Sequence, residues 1–331
     1  MREPAFWWQP PGVACFVLAP FAAAYGAIVA RRMAQPGQAA GVPVLCVGNL
    51  TIGGAGKTPT AMAVAELLRV AGRRPFFLTR GYGGRLAGPV QVDPAIHGSA
   101  DVGDEPLLLA RIAPTIVAGD RVAGAVAARA AGADVIVMDD GFQNPALAKD
   151  LSIVVVDGPR GVGNGAVIPA GPLRAPLEAQ IDRAHAILIV GETSGAVPVL
   201  EHASACKLPV FHGRLEPDVG VIAELRSRPV LAFAGIGSPD KFFGTLTEAG
   251  VDVRVRRAFP DHHRYRRAEA MGLIARAERE RLVPVTTEKD LVRLAGQDDV
   301  AALASVARAL PVKLVVAEAD AFRALVLASA G

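Results

Sequence analysis

A lysine and a threonine closing a glycine-rich loop, and a strand that ends in paired carboxylates, are the parts that hold a nucleoside triphosphate and its Mg²⁺. Both are present in this 331-residue chain, as Thr51-Ile52-Gly53-Gly54-Ala55-Gly56-Lys57-Thr58 and as Val135-Ile136-Val137-Met138-Asp139-Asp140. Gly53, Gly54 and Gly56 let backbone N–H groups approach phosphate without a Cβ in the way. Lys57 then reaches the β- and γ-oxygens while Thr58 offers its hydroxyl to Mg²⁺. One position departs from G-x-x-x-x-G-K-[ST]: Thr51 replaces the first glycine, so the loop is expected to turn in a slightly altered way. Asp139 and Asp140 lie about eighty residues beyond Lys57, far enough for a sheet to bring them alongside, and one of the two is expected to help hold Mg²⁺.

Further chemistry collects where apolar runs end. Arg80 and Tyr82 follow the run Pro75 to Thr79 in a glycine-rich loop, where they either face phosphate or sugar or form a turn with solvated side chains. Asp101-Val102-Gly103-Asp104-Glu105 precedes a helical run from Leu107 to Ile112. Either Asp104 or Asp101 caps that helix, or Asp104 accepts the proton of a phosphoryl acceptor. Asn144 continues the loop after Asp140 and is a candidate substrate contact. Arg174 ends Ile168-Pro169-Ala170-Gly171-Pro172-Leu173-Arg174, a shaped loop, and is either an anion clamp or a solvated arginine. Adjacent His262 and His263 lack a third ligand at metal spacing, so catalytic or acceptor-orienting use of one histidine is favoured over a metal site.

These groups need a scaffold that gathers strand ends. Val42 to Val47 reads as a buried strand and Pro59 to Ala71 as a helix, so the glycine-rich loop feeds a helix N-terminus. Short β-branched runs at 135–138, 153–156, 187–190 and 230–233 alternate with Ala-rich helical stretches, the pattern of a mostly parallel sheet with helices on both faces. A fresh strand–helix–strand unit begins near Pro229. The expected organisation is therefore a P-loop core over 36–225 and a smaller C-terminal α/β domain over 226–331.

Residues 1–35 form a third part. Pro10 to Ala30 carries no charge, Trp7 and Trp8 precede it, and Arg31-Arg32 follow it. An interfacial helix, a spanning helix and a helix buried on its own domain all fit that pattern, with Pro20 weakening the spanning case. Val13, Phe16, Val17, Phe21, Ala24 and Ile28 fall on one side, so membrane contact is the expectation. Glu3 and the long apolar stretch argue against a cleaved signal. A net charge of +3 gives no reason to invoke nucleic acid, and three widely spaced cysteines fit a reducing compartment.

The glycine-rich loop, Arg80-Gly81-Tyr82-Gly83, Gly103-Asp104-Glu105, Asp139-Asp140-Gly141-Phe142-Gln143, Pro169 to Arg174 and Phe259-Pro260-Asp261-His262-His263, in this order, resemble the tetraacyldisaccharide 4′-kinases of lipid A biosynthesis. In that family the P-loop is similar at Thr51. The resemblance implies ATP and Mg²⁺ as cosubstrates and a peripheral place on the cytoplasmic face of a bacterial inner membrane. It implies a lipid disaccharide 1-phosphate phosphorylated at its 4′-hydroxyl, and Asp104 with His262 acting together on that hydroxyl; no obligate protein partner is inferred. The residue after Arg174 is usually acidic in the family and is Ala175 here, which leaves any role of that carboxylate unfilled. The rival class is a P-loop ATPase or GTPase that drives partner or metal-centre assembly. A guanine reader carries [NT]-K-x-D, and Thr287-Glu288-Lys289-Asp290 has the wrong order.

Overall fold

The protein is described here by a computed structural model covering residues 3–295 and 298–331. Its strands form two sheets. β1 (Val44–Asn49), β2 (Pro75–Thr79), β3 (Val90–Gln91), β4 (Thr115–Val117), β5 (Val135–Asp139), β6 (Leu151–Asp157), β7 (Ala186–Val190) and β8 (Val210–Pro217) belong to the first. β9 (Val230–Ala234), β10 (Val253–Ala258), β11 (Val283–Thr287) and β12 (Arg308–Leu310) make the second, and β13 (Val312–Val316) returns to the first. The large sheet runs β13-β8-β7-β6-β1-β5-β2-β4-β3, parallel except at its two edges, where β13 and β3 pair antiparallel. The small sheet runs β10-β9-β11-β12 and is parallel throughout.

The β-branched runs are buried on both faces because helices cover both. β1, β5 and β6 are buried at every residue. On one side pack α2 (Lys57–Val70) and the closing helix; on the other lie α1 (Val13–Met33), α5 (Arg121–Ala130), α6 (Leu177–Ile181) and α7 (Val197–Ala205). Two short helices, α3 (Ser99–Val102) and α4 (Asp104–Leu109), stand between β3 and β4 in the chain. Around the small sheet pack α8 (Val219–Leu225), α9 (Pro239–Glu248), α10 (Arg267–Glu280), α11 (Glu288–Ala295) and α12 (Ala301–Val306). α13 (Ala319–Ala328) then docks on α2, burying Phe322 and Val326.

The C-terminal expectation needs correction at both bounds. α8 buries Ile222 and Leu225 with the small sheet, and residues from 312 onward rejoin the large one, with Leu314 opposite Leu215. The small unit is therefore an insertion between β8 and β13. Its two connections touch, since Asp218 N–H donates to the Pro311 carbonyl at 2.9 Å.

α1 is buried on one side only. Cys15, Ala22, Gly26 and Met33 face the protein, and Gly26 admits Pro176, whose ring would lie 3.4 Å from a Cβ there. Val13, Phe16, Val17, Phe21 and Ile28 are all more than half exposed. The N-terminal approach is anchored: Trp7 Nε1 donates to the Pro169 carbonyl at 3.0 Å, and Asn164 N–H donates to the Trp7 carbonyl at 2.8 Å. The fully buried alternative is thereby excluded for this helix.

Candidate active site

Register brings the P-loop and the carboxylate pair together. Val47 in β1 stands opposite Asp139 in β5, so the loop leaving β1 starts beside the end of β5. α2 begins at Lys57, two residues before the sequence-based expectation, and Thr58 is buried within its first turn. The positive φ values fall on Gly53 (104°) and Gly56 (89°), where glycine is required. Thr51 lies instead in an isolated bridge to Leu173, with its carbonyl accepting from Asn49 Nδ2 at 2.7 Å and Arg174 Nε at 3.0 Å. A residue with a side chain fits there, which accounts for the missing first glycine.

The two carboxylates have separate surroundings. Asp139 is 1 % exposed, and neither oxygen has a hydrogen-bond partner among the described residues. Burial raises its pKa, the charges of Glu105 and Asp140 add to the rise, and Lys57 opposes it. A buried carboxylate without a donor fits a hard cation, and Mg²⁺ typically takes one or two carboxylates together with nucleotide phosphates. Asp140, at φ 55°, is held by cations: Arg174 Nη1 at 2.8 Å, Arg174 Nη2 at 3.3 Å and Lys57 Nζ at 3.7 Å. Burial works against its ionisation, but Lys57 and Arg174 prevail and lower the pKa to about 2.

Arg174 thus grips Asp140 and the P-loop backbone, which corrects the solvated-arginine alternative. Ala175, with no exposure, turns its carbonyl to Gln180 Nε2 at 2.7 Å. The carboxylate that orients Arg174 here is Asp140.

Across the crevice stands the acceptor side. Asp104 begins α4 and is buried; its Oδ2 receives Arg293 Nε at 2.9 Å, and its Oδ1 lies 3.4 Å from His262 Nδ1. Asp104 caps nothing. Nor does Asp101 cap α4: its Oδ2 accepts the Gly98 N–H at 2.9 Å and so caps the preceding helix, α3. Burial resists the Asp104 charge, yet the His262 hydrogen bond and the Arg293 and Lys289 charges hold its pKa far below the usual carboxylate range. The same hydrogen bond raises the His262 pKa. A carboxylate held so acidic is a weak proton acceptor, and the imidazole is the better one. Tyr82 places its ring edge-on to His262, with centroids 5.1 Å apart. His263 is a packing residue, stacked on Phe259 and bonded to Glu269 at 2.9 Å.

Two expected substrate contacts fare differently. Arg80 is exposed at the end of β2, within electrostatic reach of buried Arg121 at the start of α5. Asn144 is engaged inside its own turn: Oδ1 accepts the Ala146 N–H at 2.8 Å and its carbonyl accepts Lys149 Nζ at 2.7 Å. That engagement gives no support to a substrate contact.

The match to known proteins is extensive. The family model described as tetraacyldisaccharide-1-P 4'-kinase matches residues 14–330. This chain belongs to that family. A tetraacyldisaccharide 4'-kinase of Methylobacterium sp. (strain 4-46) is 58 % identical over 322 residues, covering 97 % of this chain and 95 % of the relative. Its counterpart from Bradyrhizobium sp. (strain ORS 278) is 54 % identical over 297 residues, covering 90 % and 89 %. The solved structure of LpxK from Aquifex aeolicus in complex with ATP superposes with a TM-score of 0.73 at 26 % identity, covering 96 % of this chain and 99 % of that one.

For this tetraacyldisaccharide-1-P 4'-kinase family member, the structure adds residues that motif reading passed over. Asn49, fully buried, donates Nδ2 to both Thr51 and Gly53 carbonyls and so shapes the P-loop from beneath. Gln143 Nε2 bridges the Asn49 carbonyl (2.7 Å) to Gln180 Oε1 (2.9 Å). An asparagine closing an apolar strand directly before the loop was the available signal. Arg293 and Lys289 carried a weaker one, the four-residue spacing of two cations on the helix that follows β11.

Proposed function

We propose that this protein transfers the γ-phosphoryl group of ATP to the 4′-hydroxyl of a tetraacyldisaccharide 1-phosphate, working peripherally at the cytoplasmic face of a bacterial inner membrane. The observation that carries the reading is the meeting of Asp104, from the large unit, with His262, from the small one, 3.4 Å apart and next to Glu105, whose charge reaches Lys57 and Asp139.

The P-loop N–H groups and Lys57 bind the β- and γ-phosphates, and Thr58 with Asp139 holds Mg²⁺. The ion, when bound, neutralises phosphate charge and keeps the chain of phosphates in line. Asp140 stays an anion that sets the positions of Lys57 and Arg174. Asp104, fixed by Arg293, orients His262 through Nδ1 and leaves Nε2 for the proton of the 4′-hydroxyl. Tyr82 walls the acceptor side. The exposed apolar side of α1 seats the enzyme at the lipid boundary, where its acylated substrate resides. An interfacial position suits α1 better than a spanning one, because one side and both ends are held by the folded core.

The assembly-NTPase alternative loses its base reader: Asp290 is buried and accepts from Gly235 N–H, Tyr265 Oη and Thr287 Oγ1. Incubation with γ-labelled ATP and a lipid disaccharide monophosphate decides between the two. Label in the lipid is the expected result, and hydrolysis with no labelled lipid would reject the kinase reading.

A further inference from the structure

Two cations four residues apart on α11 meet two consecutive acids at the start of α4. Arg293 takes Asp104, and Lys289 Nζ takes Glu105 Oε1 at 2.5 Å. The two pairs differ in access. The Arg293 and Asp104 side chains are 5 % and 4 % exposed, whereas Lys289 keeps 29 % and Glu105 21 %. Lys289 therefore borders the crevice, and an ammonium has three donors, of which Glu105 occupies one.

Its surroundings define a path. Lys289 lies within electrostatic reach of Asp104, beside the proton acceptor, and of Asp139, the carboxylate placed for Mg²⁺. Glu105 in turn is within reach of Lys57 and of His262. The ammonium thus lies on the small unit, within electrostatic reach of carboxylates at both ends of the transfer.

We propose that Lys289 is a second catalytic lysine, which exchanges its contact with Glu105 for the non-bridging oxygens of the transferring phosphoryl group. The inference rests on the kinase reading above. In the step it serves, the bond from the γ-phosphorus to the β–γ bridging oxygen breaks and its electron pair stays on ADP. The 4′-oxygen forms the new bond to phosphorus, and its proton passes to His262. Charge spreads over the equatorial oxygens meanwhile, and a cation brought by the small unit is worth most at that point. Lys57 shares its charge with Asp140, 3.7 Å away.

The rival role for Lys289 is that of a counter-ion for Glu105, and the uncharged pair separates the two. The measurements are kcat and KM for ATP in Lys289→Met, Glu105→Gln and the double variant, with lipid phosphorylation as readout and binding of a non-hydrolysable ATP analogue beside it. Lys289→Met is expected to lower kcat roughly 100-fold, with analogue affinity changed by less than about threefold. The double variant, which leaves no unpaired charge even if Lys289→Met folds poorly, is expected to stay equally slow. Recovery of the double variant to within about threefold of wild type would assign Lys289 to Glu105 alone and overturn the proposal. A wild-type protein that labels no lipid would instead reject the parent reading, before any variant is compared.

Discussion

Arg293 holds Asp104 Oδ2 from two nitrogens, Nε at 2.9 Å and Nη2 at 2.8 Å, in a pair that joins the inserted unit to the large one. The same guanidinium reaches the Gly235 carbonyl and Asp290, both at 2.8 Å. It therefore ties the end of β9, the helix α11 and the start of α4 into one joint, and His262 is presented to Asp104 by that joint.

Arg293→Met removes one partner of a buried ion pair. Asp104 and Asp290 keep their burial and lose their guanidinium, so the expected loss of stability is about 3–5 kcal/mol. Chemical denaturation followed by circular dichroism measures it. A loss under about 1 kcal/mol would mean that Asp104 finds another cation.

Lys57→Ala and Thr58→Ala are each expected to lower kcat by roughly two orders of magnitude or more, because both groups act on charge held or developed during transfer. Far-ultraviolet circular dichroism should remain that of the wild type. Near-normal turnover in either variant would remove the P-loop from the mechanism.

If Asp104 and His262 act as one unit, Asp104→Ala and His262→Ala each depress kcat strongly with little change in ATP affinity. The double variant is then barely worse than the worse single one. Multiplicative losses would show two independent roles. Asp104→Asn is the milder choice where the alanine variant folds poorly.

The acid limb of kcat/KM should report His262. Its hydrogen bond to Asp104 raises its pKa, so the imidazolium persists to higher pH than in a free histidine, about 6.5. A group raised in this way adds stability that is complete below the unfolded pKa and is lost as pH climbs through the folded one. Catalysis runs the opposite way, since neutral imidazole is the acceptor: activity should rise through an apparent pKa above 6.5. Asp104→Asn removes the carboxylate and should move that limb toward lower pH. A limb that stays in place would detach it from His262.

Phe16→Glu with Phe21→Glu tests the membrane side without disturbing the core, because both rings are exposed, at 70 % and 66 %. Flotation with anionic liposomes is expected to fall sharply while soluble ATP-analogue binding persists, and the residual flotation should weaken with salt. Equal flotation of variant and wild type would place membrane contact elsewhere. Deleting residues 1–32 is a poorer test, since it also strips Trp7, Cys15 and Ala22 from the surface they cover.

What was legible in the sequence was whatever is local. The P-loop, Asp139 and the strands around them announce themselves as continuous runs, because fully buried parallel strands carry apolar residues at every position. Asp104 and His262 came through the family resemblance, and the protonation roles proposed for them depend on Arg293 from a distant helix. Charges such as Lys289 and Glu105 look like a solvated helix face until a partner element 184 residues away is placed against them. The return of β13 to the large sheet was equally hidden. Strand membership is decided by edge pairing, and a run such as Val312 to Val316 fits either sheet.

The contact between Asp218 and Pro311 bears on how the small unit can move. A body hung from two cords that are knotted together where they leave the support behaves as though it had a single pivot. Spinning about its own axis would have to break that knot. Any rocking about that pivot would carry His262 and Lys289 together, and would first have to part the Arg293–Asp104 and Lys289–Glu105 pairs.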